Sequence, residues 1–532
     1  MAGAGHALAF APDPLPGWLL APWQIVLLGV LVLAVWRAPS ARSAATRGLC
    51  FGSGHFLVGL YWIYISLHVH GYMAAWLSAL AVVILAVGLG LFPAAAAALA
   101  RWLVAQPVAT ESVSAPASAL RALAACLVWA AAWTAFEWLR GTLFTGFPWL
   151  NVGYAHVDGS LAGWAPVVGV YGVAFMAAVC AAAFIGTALW QGAARLTALA
   201  LFLLAILAGV LGRAADWGIE PAGQPLAVRL VQGNVEQSAK FNPALFTSNL
   251  HQHLRLARQP SQVDGFRPDV VVLPETAIPV FQDQLPISWW QQWTDVARTW
   301  GAPMVTGIAL HTSGADGRSL ITNSVIGFTE DSSPFELVNG RVPWRYDKAH
   351  LVPFGEFIPY GFRWFVDAMV MPMGDFDRGA RRQQPFDIGG QHLAFNICYE
   401  DVFGEELLPA VRPGPHGEPG ASILANVSNL GWFGNTPALP QHLQIARMRS
   451  LETGRPSIRA TNTGVTAIIN ARGEVEASLP VHNAGVLDGW VQGTRGLTPY
   501  VRWGNLPVLA VVALVLTLAA GARMRQHRGP RA

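Results

Sequence analysis

FNICYEDVF, Phe395 to Phe403, is the stretch on which the reading of this chain turns. The apolar run Leu393 to Ile397 ends on Cys398, and Tyr399, Glu400 and Asp401 follow at once. A structural cysteine belongs inside an apolar run, where it packs as a small hydrophobe. A cysteine where a strand gives way to acidic residues can face a cleft. The thiol is therefore a candidate for chemistry, and the rest of the sequence must say of what kind.

Around Cys398 the chain reads as short β-rich runs: 226–235, 269–276, 303–310, 322–328, 392–400, 421–429 and 465–473. Helix-length polar segments lie between several of them, at 246–258, 287–300 and 440–454. Strands alternating with helices predict an α/β domain, 226–492, with helices packed on sheets. Two further positions in it carry unusual residues. Glu275 closes the nearly all-apolar VVVLP. Lys348 lies in RYDKAHLVPFGEFIP, a loop rich in proline and glycine. Taken singly, Glu275 also reads as a helix N-terminal acid, Lys348 as a solvated cation and Cys398 as packing.

Outside this domain the composition changes. The chain is 53% hydrophobic and only 12% charged, against about 25% charged in soluble domains. The deficit sits in the first half and at the extreme C-terminus. A bilayer core of roughly 30 Å needs about 20 apolar residues in a helix. Candidate spans are 17–36, 49–68, 73–100, 119–139, 161–190, 196–212 and 504–522. The expected organisation is a transmembrane region at 1–225, the α/β domain at 226–492, and a C-terminal span with a basic tail at 493–532.

Loop charge orients these spans. Arg37, Arg42, Arg47, Arg101, Arg121, Arg195 and the tail residues Arg523, Arg525, Arg528 and Arg531 mark the cytoplasmic side. The large domain then lies outside. The same count puts the N-terminus outside, and MAGAGHALAFAPDPLP lacks the basic region of a secretory signal. Gly52 and Gly54 sit inside an apolar span and predict helix packing, not a dinucleotide loop.

A net charge of +3 without a basic patch gives no support for nucleic-acid binding. Cys50, Cys126 and Cys180 fall in apolar segments, and no spacing suggests a disulfide framework or zinc site. No paired-histidine motif argues for a metal, and no cofactor is expected. Cations are almost all arginine; the two lysines are Lys240 and Lys348. A compact ammonium is not interchangeable with a guanidinium, which draws attention to Lys348.

LPETAIP, YDKAHLVPFGEFIP and ICYED, in that order, resemble the Glu–Lys–Cys triad of the nitrilase superfamily. The resemblance implies an αββα sandwich with Glu275, Lys348 and Cys398 as catalytic residues. VQGNVEQSAKF, SNLGWFG, QHLQIARMRSLETGRP and the membrane element FEWLRGTLFTGFPWLNVGY narrow it. With them the chain resembles the apolipoprotein N-acyltransferase family over nearly its whole length: a polytopic α-helical membrane bundle carrying an extramembrane nitrilase-type α/β domain. Two departures stand out. The family's first helix is missing or truncated, which agrees with the displaced N-terminus. Phe241 stands where relatives often carry tryptophan, so an aromatic face remains without an indole N–H.

A thiol at its ordinary pKa needs a base or a nearby cation. The resemblance makes Glu275 that base and Lys348 the stabiliser of thiolate and oxyanion. Cys398 would take an acyl chain as a thioester and pass it to an amine in a ping-pong reaction. The implied donor is a phospholipid of phosphatidylethanolamine type, and the acceptor is the α-amine of a diacylglyceryl-cysteine lipoprotein. The implied place is the bacterial inner membrane, with the catalytic domain periplasmic. Supporting or substrate-lining roles fall by motif to Glu356, Tyr399, Glu400, Phe241, Asn323, Trp432, Glu452 and Trp149. Trp149 reads equally as an interfacial anchor, and Glu452 as a solvated helix residue. The triad alone leaves open a membrane-tethered amidase or nitrilase using water, or a non-catalytic lipid- or lipoprotein-binding scaffold.

Overall fold

The computed structural model describes every residue except 11–14, 105–117, 315–316, 367–374 and 529–532. Part of the N-terminal segment and Arg531 of the basic tail therefore lie outside the described residues. The chain divides into two compact units. One comprises Met1–Tyr64, Ala75–Trp217 and Thr498–Ala532; the other comprises Ile65–Ala74 and Gly218–Leu497.

The first unit is helical. Among the described residues, six helices are long and apolar enough to cross a membrane: Gly17–Trp36, Ala75–Leu103, Ala119–Thr145, Ser160–Leu189, Gly192–Ala214 and Leu506–Gln526. A seventh span is read if Ala41–Gly59 and Ile63–His70 count as one, although they bend by 58° at the break between them. The candidate span at 49–68 falls across this bend. Ala41–Gly59 packs on Ala75–Leu103 through small residues. A Cβ at Gly48 would meet the Pro93 carbonyl at 2.5 Å, and one at Gly52 would meet Gly90 Cα at 2.9 Å. Close backbone approach is how helices associate where no hydrophobic gain drives them together.

The second unit is built on two sheets. Its ends are tied by β1 (Glu220–Pro221) pairing antiparallel with β15 (Thr494–Arg495). The first sheet contains β2 (Leu226–Gln232), β3 (Val270–Val272), β4 (Ile278–Phe281), β5 (Met304–Ser313), β6 (Ser319–Phe328), β7 (Trp344–Asp347) and β14 (Gly485–Val491). Its order is β14-β2-β3-β5-β6-β7, with β4 also beside β5. The second sheet contains β8 (Phe386–Ile388), β9 (Gln391–Ile397), β10 (Ile423–Ser428), β11 (Ser457–Thr461), β12 (Ala467–Ile469) and β13 (Val475–Ser478), in the order β13-β12-β11-β10-β9-β8.

The sheets face each other. Val228, Leu230, Val270, Val272 and Val305 of the first pack with Leu393, Phe395, Ile397, Ile423 and Val427 of the second. Alternate residues of the same strands point the other way. Val231, Val271, Met304 and Ile308 meet Leu250, Leu254, Trp290 and Trp293 of the helices Phe246–Arg258 and Ile287–Trp300. On the second sheet, Ala467 and Ile469 meet Ala446 of the helix Ala438–Thr453. The layers are helix, sheet, sheet, helix. Strands buried on both faces read as continuous apolar runs, which is why β2 is buried along its whole length. Arg229 within it is tolerated because Asp488 of β14 takes its guanidinium at 2.8 Å and Trp300 stacks on it.

Candidate active site

The candidate residues stand where strands end. Between β3 and β4 the chain leaves the flank of β5 and returns: Val272 pairs with Val305, and Ile278 with Ile308. Five residues, 273–277, thus face a gap of two on β5, and Glu275 lies at their centre. Thr276 takes the strain of the turn at φ 51°. The segment lies hard against Gly307, where a Cβ would meet Glu275 Cα at 2.6 Å.

Lys348 directly follows β7, and its N–H donates to the Asn323 carbonyl of β6 at 2.8 Å. Cys398 directly follows β9 and adopts φ 53°, a left-handed conformation costly for a residue with a side chain. Asn429 directly follows β10, the parallel neighbour of β9.

Hydrogen bonds link these ends. Lys348 Nζ lies 2.8 Å from Glu356 Oε1 and 3.5 Å from Glu275 Oε1. Asn323 Nδ2 donates to both carboxylates, at 2.9 Å to Glu275 and 2.6 Å to Glu356. The second Glu275 oxygen accepts from the Asn429 N–H at 2.9 Å, and the second Glu356 oxygen from the Val352 N–H at 2.8 Å. All these side chains are buried. Burial alone would strip the Lys348 proton, but Glu356, Glu275 and the Cys398 sulfur together outweigh it and hold the ammonium well above the usual lysine range. Burial pushes the Cys398 thiol up; Glu275 and Glu356 add to this, while Lys348 and the Asn429 N–H oppose it. Burial thus favours the neutral thiol at Cys398, and a partner must take its proton before the sulfur can act as a thiolate.

Glu400 joins the two loops. One oxygen accepts from the Ala349 and His350 N–H groups at 2.7 and 2.9 Å; the other accepts from the Ile397 N–H and the Tyr346 hydroxyl at 2.7 and 2.9 Å. Tyr399 packs its ring against His350 and Phe403. His350 in turn pairs with Glu406 at 2.9 Å.

The other sequence candidates are placed differently. Phe241 is half exposed beside the buried Lys240. Trp432 is partly buried; its carbonyl accepts from Ser66 Oγ at 2.7 Å and its ring meets His70 edge-on. Glu452 is fully buried, not solvated, and pairs with Arg449, whose guanidinium also reaches the Val402 carbonyl. Trp149 lies in the helical unit, buried against Trp62, with its carbonyl taken by Arg140 at 2.8 Å. It is not an exposed anchor there. Arg140 also pairs with Glu137 inside the unit.

Several residues escaped the sequence reading. Arg459 donates to His442 Nδ1 at 2.8 Å, and an arginine can only donate. The His442 proton therefore sits on Nε2, which donates to the Cys398 carbonyl at 3.2 Å. Burial, and next to it Arg459, keep that imidazole neutral far below its usual range. Arg459 is itself paired with Asp401. Asn426 Nδ2 reaches the same carbonyl at 3.3 Å. The strained Cys398 segment is thus pinned from helix Ala438–Thr453 and from β10. The sequence carried a signal in QHLQIARMRS and ICYED, but nothing in it says which polar residue meets which.

No group of three or more histidine, cysteine, aspartate or glutamate residues that could hold a metal occurs among the described residues. The arrangement offers a thiol, a carboxylate base and a fixed ammonium, which suits acyl transfer through sulfur.

Comparisons with known proteins bear on the family of the chain. Residues 2–183 match the family description "Apolipoprotein N-acyltransferase N-terminal domain", and residues 227–500 match "Carbon-nitrogen hydrolase". A protein named apolipoprotein N-acyltransferase from Bordetella bronchiseptica is 55% identical over 99% of this chain and 97% of its own. Similarly named proteins from Ralstonia nicotianae and Nitrosomonas europaea are 45% and 39% identical. They cover 98% and 99% of this chain, and 92% and 97% of their own. The chain is a multi-pass membrane protein and belongs to the apolipoprotein N-acyltransferase family, with a carbon–nitrogen hydrolase domain of nitrilase type.

Proposed function

We propose that this chain transfers an acyl chain from a phospholipid, through a thioester on Cys398, to the N-terminal amine of a diacylglyceryl-cysteine lipoprotein. The observation that carries the reading is the junction of Glu275, Lys348 and Glu356, hydrogen-bonded through Asn323, in the electrostatic field of Cys398. The relatives' shared name supports the acceptor class.

In the first half-reaction the S–H bond breaks, its proton passes to Glu275, and sulfur bonds to the ester carbonyl carbon. Lys348 faces the oxyanion that forms. Collapse breaks the ester C–O bond, and Glu275 returns the proton to the departing lysophospholipid oxygen. In the second half-reaction an amine attacks the thioester and gives its proton to Glu275. The C–S bond breaks, and the thiolate recovers its proton. Glu356 holds Lys348 charged and in place, and Glu400 and Tyr399 shape the loops around the sulfur. Phe241 and Trp432 line the substrate path.

The donor is of phosphatidylethanolamine type. Such a lipid does not readily leave the bilayer, since each buried CH₂ is worth about 0.8 kcal/mol, and the spans in the same chain answer that constraint. Residues 1–225 and 493–532 anchor the protein in the bacterial inner membrane, and 226–492 carry the chemistry on the periplasmic side. The arginine bias of the alternate loops supports this orientation.

Mass spectrometry of the intact protein tests the proposal. Phospholipid alone should leave one acyl group on Cys398, and an added diacylated peptide should remove it as an amide. Cys398→Ala should form no adduct. Release of the acyl group to water before peptide is added would identify an amidase instead, and absence of any adduct on the parent protein would identify a scaffold.

A further inference from the structure

Lys240 is one of two lysines in the chain, and no step above uses it. It closes the short helix Gln237–Lys240, and only 4% of its surface is exposed. A buried ammonium is costly unless it is compensated. Yet its one hydrogen bond among the described residues is to the Glu275 main-chain carbonyl, at 3.0 Å. The same short helix holds the site a second way: Gln237 Oε1 accepts from Asn429 Nδ2 at 2.8 Å, and the Asn429 N–H holds the Glu275 carboxylate.

We propose that Lys240 is a positioning residue of the acyl-transfer site: it fixes the Glu275 main chain and supplies the second positive charge that lets the Cys398 proton move to Glu275. The proposal rests on the reading of Cys398 as the acylated nucleophile. Glu275 and Glu356 are offset by Lys348 and Lys240 while the sulfur keeps its proton. Transfer of that proton to Glu275 leaves the sum unchanged. Without Lys240 the group holds one uncompensated negative charge, and the new thiolate must form against it.

The groups that act on Lys240 are Glu275, Cys398 and His253. Burial keeps His253 neutral down to about 4, so it adds no charge in the working range. Burial also lowers Lys240, to about 8, against the pull of Glu275 and Cys398. The sign for stability follows. The folded chain sheds this proton near 8 and the unfolded chain near about 10.4, so between them the unfolded state binds more protons and stability rises with pH. Below 8 the buried ammonium is a cost to the fold, retained for what it does.

The test uses the full chain in detergent. Iodoacetamide alkylation of Cys398 is followed by intact mass from pH 6 to 10 in the parent and in Lys240→Met. The variant is expected to keep or raise its melting temperature at pH 7 and to alkylate at least tenfold more slowly at pH 7.5, the difference narrowing above pH 8 as the parent's Lys240 loses its proton. The parental rate at pH 7.5 in a folded Lys240→Met would overturn the proposal.

Should that variant not fold, the native Lys240 supplies an independent arm. Lysine labelled with ¹³C at Cε gives two resonances, and Lys348 stays charged throughout the range. The one that titrates near 8 must move downward in Glu275→Gln, which removes the carboxylate charge that raises it; a fixed midpoint would equally overturn the coupling. Acyl adduct formation on the parent is scored separately, so loss of the acyl-enzyme reading is distinguishable from loss of the Lys240 role.

Discussion

Glu400 accepts four hydrogen bonds on two oxygens, from Ala349, His350, Ile397 and Tyr346. Burial pushes its carboxyl up, and the His350 N–H, Lys348, the Ile397 N–H and the Tyr346 hydroxyl pull it back. Glutamine in its place puts an NH₂ against main-chain N–H groups. Each donor left buried without an acceptor costs about 1–3 kcal/mol. Glu400→Gln is therefore expected to lower the thermal midpoint and to slow acyl-adduct formation at least tenfold, because the Lys348 and Cys398 loops lose their common tie. Tyr346→Phe removes one of the four bonds and should cost only about 1 kcal/mol. Equal effects of the two substitutions would count against this account. At this scale the placement of Glu275, Lys348 and Cys398 was legible, since each follows a strand or sits in a motif. Their partners were less so. Asn429 acts on Glu275 through its main-chain N–H, which no side-chain pattern reports. His442 meets Cys398 across 44 positions of sequence, at a carbonyl every residue possesses.

The strands and helices that aim these residues were legible in proportion to their burial. The helices Phe246–Arg258, Ile287–Trp300 and Ala438–Thr453 stand where polar segments of helical length were read. Strands β2, β5, β9 and β10 are apolar runs bounded by turns. The sequence reading passed over β11, SIRAT, because its buried Arg459 and Ser457 break the apolar pattern. It also passed over β7 and β14, which are only partly buried over most of their length. Nor did hydrophobicity reveal the interruption between β3 and β4 that pushes Glu275 out; only Gly307 marks it. A methyl group there would strike Glu275 Cα, Thr276 N and Pro274 O at 2.6–2.7 Å, all main-chain atoms that cannot rotate away. Gly307→Ala is expected to displace the Glu275 segment, at a cost of about 1–3 kcal/mol. The rate of acyl-adduct formation should fall about 10²-fold, as misplacement of a catalytic group by about 1 Å can do. Gly485→Ala, where an added Cβ meets nothing closer than Leu479 at 3.8 Å, is the control and should match the parent in both measurements.

For the molecule as a whole, composition separated an apolar region from an α/β region, but it could not show that residues 65–74 group with the second. The apolar pattern runs on through the 58° bend after Gly59, so the sequence reads as one span. In the structure Ser66 donates to the Trp432 carbonyl and His70 packs on its ring, which steadies the short turn Leu430–Phe433 following Asn429. A fragment Gly218–Leu497 retains both sheets, their helices and the β1–β15 tie, yet lacks those contacts. Its exposed Arg495–Glu220 ion pair adds little, about 0–1 kcal/mol. Amide exchange at 430–436 is expected to be at least tenfold faster in the fragment than in the full chain, with β9 and β10 equally protected in both. The fragment should acquire an acyl group on Cys398 from a water-soluble short-chain thioester, because Glu275, Lys348 and Asn323 all remain. From phospholipid vesicles it should acquire none at a measurable rate, because monomeric lipid is scarce and the fragment has no spans to bring it to the bilayer. Acylation from vesicles at the full-chain rate would mean that the helical unit serves neither to hold the enzyme at its donor nor to admit the lipid, and the membrane part of the proposal would have to be abandoned.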